Sequence, residues 1–342
     1  MVLLKNNQQL LPLNKNTVKS IAVLGPRSAE VLQDWYSGSP SYSISPLEGI
    51  KSKVGTNVTV MNTTNDDLAV NMAKSAEVAI VCIGNHPTGN AGWAKVSSPS
   101  EGKEAVDRQQ ITLDSAQEKL IQRVYAVNPK TIVVLVSSFP YAINWAQANI
   151  PAIIHITHCS QELGNALADA LFGDINPAGR LVQTWPKSLD QLPAMMDYNI
   201  RNGHTYQYFK GEPLYPFGFG LSYTSFSYAN FRFSSSGMNR KGQVTVSVDV
   251  KNTGKRAGDE VVQLYVSHQN SNVARPLKEL KAFKRIILNP NETQTVTILL
   301  NAEALQYWNT KQKHFEVEKD KLKVMVGASS TDIRAEGSLR VN

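Results

Sequence analysis

A chain of 342 residues is longer than one ordinary domain, and two or three are expected. Hydrophobic residues at 42% and charged residues at 18% are the balance of a folded chain and exclude a disordered polyelectrolyte. The formal charge of +7 is scattered, and its densest stretch, Lys251 to Arg256, is diluted by Asn252 and Gly254. A solvated surface is therefore expected, with no nucleic-acid partner.

The first residues run from Leu3 and Leu4 into Leu10, Leu11 and Leu13 without the charged-then-apolar order of a signal peptide. Residues 1–17 are expected to be a lead-in segment from a preceding domain. Ser20–Gly25 is a compact apolar run ending in Gly-Pro, a buried strand followed by a loop. Ala76–Gly84, Thr131–Ser137 and Ala152–Ile156 are nearly continuous Val/Ile runs, as in strands covered on both faces. Between them, Ser115–Val127 places Leu120, Ile121 and Val124 at helical spacing, and Gln161–Phe172 repeats apolar and small residues likewise. Alternating strands and helices predict crossover units and an α/β/α sandwich with a mostly parallel sheet over residues 18–204. No apolar run approaches the roughly 20 residues of a membrane span, so no membrane partner is expected.

Residues 205–227 are rich in aromatics and glycine, including Tyr206, Tyr208, Phe209, Tyr215, Phe217, Phe219 and Tyr223. Such a segment is expected to pack at a domain junction, because a flexible linker carries few large apolar groups. Beyond it the period changes to two. Val244, Val246, Val248 and Val250 alternate with polar residues, and Val261–Val266, Ala282–Leu288, Thr293–Leu300 and Lys321–Val326 follow, separated by turns. This predicts an all-β antiparallel sandwich over residues 228–342.

Cys82 and Cys159 lie at strand ends and read as small core residues; neither belongs to a Cys/His cluster with zinc-ligand spacing. His155 and His158 sit at the end of a strand with no acidic companion, so satisfied core histidines are expected and no metal. Glu162 reads as a charge at a helix N-terminus.

Several phrases, in order along the chain, resemble glycoside hydrolase family 3. They are Val2–Asn6 with Leu10–Leu13, Ser20–Pro26, Gly164–Asp169 with Leu171–Leu181, Leu214–Thr224, and Asn252-Thr253-Gly254 with Gly258–Val266. The resemblance covers nearly the whole chain. It implies the C-terminal portion of such an enzyme: an α/β sandwich plus a fibronectin type III-like domain, without the N-terminal barrel. Eight strand–helix units need about 250 residues, which this chain cannot spare.

The resemblance also implies a chemistry. Retaining glycosidases use two carboxyl groups about 5–5.5 Å apart, one a nucleophile and one an acid/base. In the family the nucleophile is a barrel aspartate, while the acid/base often comes from a loop following the strand that corresponds to Ala76–Gly84. Here that loop is Asn85–Leu113, and loops of this length are commonly functional. Glu104, followed by Ala105-Val106-Asp107-Arg108, is similar to the family's Glu-x-x-Asp-Arg pattern and is the preferred acid/base; Glu101 is the alternative. Asp107 with Arg108 is expected to anchor the loop by a charge-assisted hydrogen bond. His86 and Trp93, in the same loop, are candidates for substrate contact. No cofactor and no metal is implied. The partners implied are a glycoside or oligosaccharide substrate and a barrel, from the same protein or a second chain.

The segment Gly203–Phe209 before Leu214-Tyr215-Pro216-Phe217-Gly218 looks more like the β-xylosidase-type members, although His204 stands where many have Arg. A β-glucosidase is the alternative within the family, and a non-catalytic carbohydrate- or protein-binding module the alternative outside it. Family resemblance favours a secreted or periplasmic location.

Overall fold

The computed structural model describes residues 1–33, 40–87, 107–158 and 161–342. The chain divides into two compact units, Met1–Gly179 with Trp185–Leu189 and Arg180–Thr184 with Asp190–Asn342.

The first unit is built on one six-stranded sheet. Its strands are β1 (Val2–Asn6), β2 (Ser20–Leu24), β3 (Thr59–Thr63), β4 (Val78–Gly84), β5 (Thr131–Val136) and β6 (Ala152–Ile156). The spatial order is β1-β6-β5-β4-β2-β3, and every pair is parallel except β1 with β6. Strands β4, β5 and β6 are buried along their whole length, as their unbroken Val/Ile composition predicts. The helices are α1 (Pro46–Val54), α2 (Asp66–Ser75), α3 (Ser115–Val127), α4 (Asn144–Asn149) and α5 (Leu163–Phe172).

Local chemistry sets these helix ends. Ser45 and Glu48 form a capping box on α1, with Pro46 at the first helical position. Asn65 caps α2 and Asp114 caps α3 through side-chain oxygens, each cap contributing about 1 kcal/mol. Gly173 ends α5 in the left-handed conformation, which glycine adopts without steric cost. Helices α1 and α5 approach closely at Gly49 and Gly164. A Cβ on Gly164 would stand 2.0 Å from the Ser45 carbonyl oxygen, so no side chain fits there.

Residues 1–17, read from sequence as a lead-in, include β1, which is the antiparallel edge strand of this sheet. A bulge between Leu3 and Lys5 lets the Lys5 ammonium reach the carbonyls of Gln147 (2.5 Å) and Ala148 (3.3 Å) near the C-terminus of α4. Burial lowers the Lys5 pKa.

From β2 the chain moves outward to β3, then crosses back past β2 to β4. The crevice at the C-terminal ends of β2 and β4 is thus the topological switch point, where doubly wound sheets present their loops to ligands. Residues 85–87, which leave β4, lie at this point.

The second unit is a β-sandwich. Its strands are β7 (Phe226–Phe233), β8 (Gly237–Met238), β9 (Gln243–Asn252), β10 (Gly258–His268), β11 (Glu279–Leu288), β12 (Thr293–Asn301), β13 (Tyr307–Asn309), β14 (His314–Glu316), β15 (Asp320–Gly327) and β16 (Ile333–Val341). A five-stranded sheet β11-β10-β15-β16-β8 faces a three-stranded sheet β12-β9-β7, and β13-β14 is a separate hairpin. Val244, Val246, Val248 and Val250 all enter the core, beside their cross-strand neighbours Leu300, Ile298 and Val296 of β12.

Strand β10 is buried on both faces, which explains its continuous apolar run. The aromatic segment covers its outer face. Tyr206 stacks on Phe217 at 4.3 Å and meets Tyr265 edge-on, while Gln263 donates to the carbonyls of Gly218 (3.1 Å) and Ala328 (2.6 Å). Asn252 is fully buried and satisfied: its amide donates to Arg256 and Leu288 carbonyls, and its oxygen accepts from Thr224 and the Gly254 N–H.

Candidate functional site

The first unit presents a polar cluster at the C-terminal ends of β4, β5 and β6, surrounding both ends of the long loop. Gly84 closes β4 with φ +136°, and a Cβ there would stand 1.7 Å from the Val136 carbonyl oxygen. Only glycine fits, and its backbone is claimed by the first turn of α3. The Gly84 N–H donates to Gln117 Oε1 at 2.7 Å and Gln117 Nε2 returns a bond to the Gly84 carbonyl at 3.1 Å.

Asn85 follows. Its side-chain oxygen accepts from the Ser138 N–H at 3.2 Å, and its carbonyl accepts from His158 Nε2 at 2.9 Å. A carbonyl partner requires the proton on Nε2, so in the neutral ring Nδ1 accepts the Ser138 hydroxyl at 2.6 Å. Asn85 Nδ2 is buried with no hydrogen-bond partner among the described residues. His155 lies deeper, its Nε2 3.2 Å from the Ser137 carbonyl oxygen and 3.1 Å from its hydroxyl, with the ring edge-on to Trp185. Burial lowers its pKa to about 4, so it is neutral at pH 7. His155 is thus the expected core histidine, whereas His158 is half-buried and tied to the Ser138 hydroxyl and the Asn85 carbonyl.

The returning end of the loop is fixed by Arg108. Its NH1 donates to the Pro140 carbonyl at 2.8 Å, and its guanidinium lies 4.0 Å from the Phe139 ring centroid and 4.4 Å from that of Tyr141. Asp107 is exposed and takes no part in this anchor, which corrects the expected Asp107–Arg108 pairing of roles: the planar cation finds two rings and a carbonyl on the β5–α4 connection instead. The Ala142 N–H then donates to the Ile111 carbonyl at 2.8 Å.

Glu101, Glu104 and Trp93 lie outside the described residues, whereas His86 is described and half-buried. The anchors Gln117, Asn85 and Ser138 were not picked out from sequence; only their positions at strand ends and in a first helical turn signalled them. Glu162 stands at the N-terminus of α5, as read, but its carboxylate caps no backbone N–H; it accepts from Tyr42 (2.5 Å) and Asn165 (2.6 Å), which lower its pKa in that order.

Cys82 is a free, fully buried thiol whose pKa burial pushes up to about 12. Among the described residues one trio, His268, Glu318 and Asp320, brings potential metal ligands within 4.8 Å of one another. Its acceptors are already engaged. Glu318 binds the Arg275 guanidinium at 3.1 Å, Ser271 and the Asn272 N–H; Asp320 accepts from His268 Nδ1 at 2.6 Å and the Asn270 N–H at 2.8 Å. The trio staples the β10–β11 connection to β15. No described helix is long and apolar enough to cross a membrane.

The described residues thus form a doubly wound α/β unit and an all-β sandwich. Residues 1–223 match the glycosyl hydrolase family 3 C-terminal domain, and residues 260–330 match a fibronectin type III-like domain. The chain belongs to glycosyl hydrolase family 3.

Among its relatives, a β-xylosidase of Formosa agariphila is 36% identical over 96% of this chain and 47% of its own length. Thermostable β-glucosidase B of Acetivibrio thermocellus is 36% identical over 100% of this chain and 47% of its own. The structure of β-D-glucoside glucohydrolase from Trichoderma reesei superposes with a TM-score of 0.88 at 29% identity, covering 100% of this chain and 54% of that one. The chain spans about half the length of the curated relatives it matches.

Proposed function

We propose that this chain provides the acid/base portion of a retaining exo-β-glycosidase, of the β-xylosidase type, that releases terminal β-linked sugars. The observation that carries this reading is the mount of the loop Asn85–Leu113. Gly84 and Asn85 are clamped where it leaves, and Arg108 and Ile111 where it returns, so a carboxylate within it starts from a fixed base. Precise placement matters because the acid/base must stand about 5–5.5 Å from the nucleophile.

In this reading Glu104, with Glu101 as the alternative, protonates the departing glycosidic oxygen while a barrel aspartate attacks the anomeric carbon. The same glutamate then removes a proton from the water that releases the sugar. His86 and Trp93 contact the substrate beside it. β-Glucosidase is the second reading, since a relative bearing that name is as similar as the β-xylosidase, each at 36% identity.

The test uses a protein containing this chain together with a barrel segment. Glu104→Gln should abolish turnover of poor leaving groups, retain it for activated aryl glycosides, and regain activity with azide. The same pattern in Glu101→Gln, with Glu104→Gln fully active, moves the role to Glu101; neither pattern in either variant defeats the assignment. Aryl β-xyloside against aryl β-glucoside separates the two specificities. Robust turnover by the 342 residues alone would defeat the claim that a barrel is required.

A further inference from the structure

A cavity of about 430 Å³ opens on the β-sandwich unit and is lined wholly by that unit's residues, a size within the usual range for small-molecule sites. One wall is Glu260 of β10, 5% exposed, beside Arg180, 10% exposed, with Arg180 NH2 3.5 Å from Glu260 Oε1. Tyr228 of β7 donates to the same Oε1 at 3.1 Å. Burial first, then the carboxylate itself, push the Tyr228 pKa up, so the phenol remains a donor. Both bonds end on Oε1 and Oε2 takes neither, which leaves an acceptor oxygen on a nearly buried carboxylate at the cavity wall.

A second ion pair in the lining is closed on itself. Arg334 grips Asp332 through Nε (2.5 Å) and NH2 (2.7 Å), gives NH1 to the Phe226 carbonyl, and lies 5.8 Å from the Tyr228 ring centroid. The lining thus holds two cations and two carboxylates, with each arginine paired to an acid. An anion meets no net positive field, and a divalent cation would have to break the Arg334–Asp332 pair to gain a second carboxylate. The half-buried rings of Phe219 and Phe226 supply apolar faces.

A neutral ligand with hydroxyls for Glu260 Oε2 and C–H faces for the rings meets each of these features. We infer that this cavity is a second, non-catalytic binding site for a neutral saccharide ring, on the β-sandwich unit. The site does not depend on the acid/base assignment.

Xylotriose and cellotriose, titrated into the isotope-labelled 342-residue chain, should give saturable amide shifts at Gly220, Ser329 and Thr331. Glu260→Gln, which removes the charged acceptor, should weaken that binding about tenfold or more. Thr331→Trp, at an exposed position on the cavity rim, should abolish it with the melting temperature unchanged. If Glu260→Gln fails to fold, the rim variant and the wild-type shift map decide. Absence of saturable shifts, shifts confined to the α/β unit, or binding undiminished in Thr331→Trp would overturn the inference. So would equal shifts with inorganic phosphate, which would mark an anion site.

Discussion

Gln117 and Gly84 exchange two hydrogen bonds, side chain to backbone, joining the first turn of α3 to the last residue of β4. Gln117→Leu removes both, so the buried Gly84 N–H loses its side-chain acceptor and the carbonyl keeps only the long bond from Arg27 Nε (3.4 Å). The cost should be about 1–3 kcal/mol in denaturant unfolding. In a protein that also carries a barrel, kcat should fall while folding is retained, because the base of the long loop is loosened. Wild-type stability in this variant would refute the clamp.

Arg108 fixes the other end of the loop by shape as much as by charge. Arg108→Lys keeps the charge but loses the planar face between Phe139 and Tyr141. A loss of about 1–2 kcal/mol is expected, together with faster proteolysis between residues 88 and 106. Limited digestion followed by mass spectrometry reads this directly.

His155 makes stability depend on pH. Its folded pKa, near 4, lies below the unfolded value of 6.5, so the unfolded chain binds the extra proton more readily. The contribution is complete above pH 6.5 and is lost as pH falls toward 4, amounting to roughly 3 kcal/mol. Urea melts across that window should show stability rising with pH. His155→Phe should flatten this portion of the profile while costing stability at pH 7 through loss of the Nε2 contacts to the Ser137 carbonyl and hydroxyl. An unchanged slope would exclude His155 as its source.

Two ion pairs should behave oppositely. Arg275 and Glu318 have side chains only 8% and 6% exposed, so Arg275→Met leaves a buried carboxylate without its cation and should cost about 3–5 kcal/mol. Arg123 and Asp67 are 45% and 85% exposed, so Arg123→Ala should change stability by less than about 1 kcal/mol. Equal effects would mean that burial does not set the worth of these pairs.

The central strands were legible because burial on both faces demands unbroken apolar runs, as in Val78–Gly84 and Thr131–Val136. The alternation in Val244–Val250 likewise reported a half-buried sheet. Other elements gave no clear period. Helix α1 carries Gly49 in its buried face, and β3 is a short run with Thr and Asn on an edge. The chemical identity of the long loop came from a resemblance of phrases, and its carboxylates lie outside the described residues. The clamp around it was invisible for a simpler reason. Asn85, Gln117, Ser138 and His158 meet only after three strands are aligned, and a chain of letters carries no sign of that alignment.

The antiparallel strand β1 also sets a schedule for synthesis. Val2 pairs with His155, and Asn6 with Ala152, so β1 has no place to dock until β6 has left the ribosome. At typical elongation rates that is a wait of roughly ten to thirty seconds. During it, the apolar run Val2-Leu3-Leu4 is an unclaimed strand available to foreign edges. Closing this edge is therefore among the last steps of the sheet's folding, and a chaperone that holds the nascent segment would act on those residues.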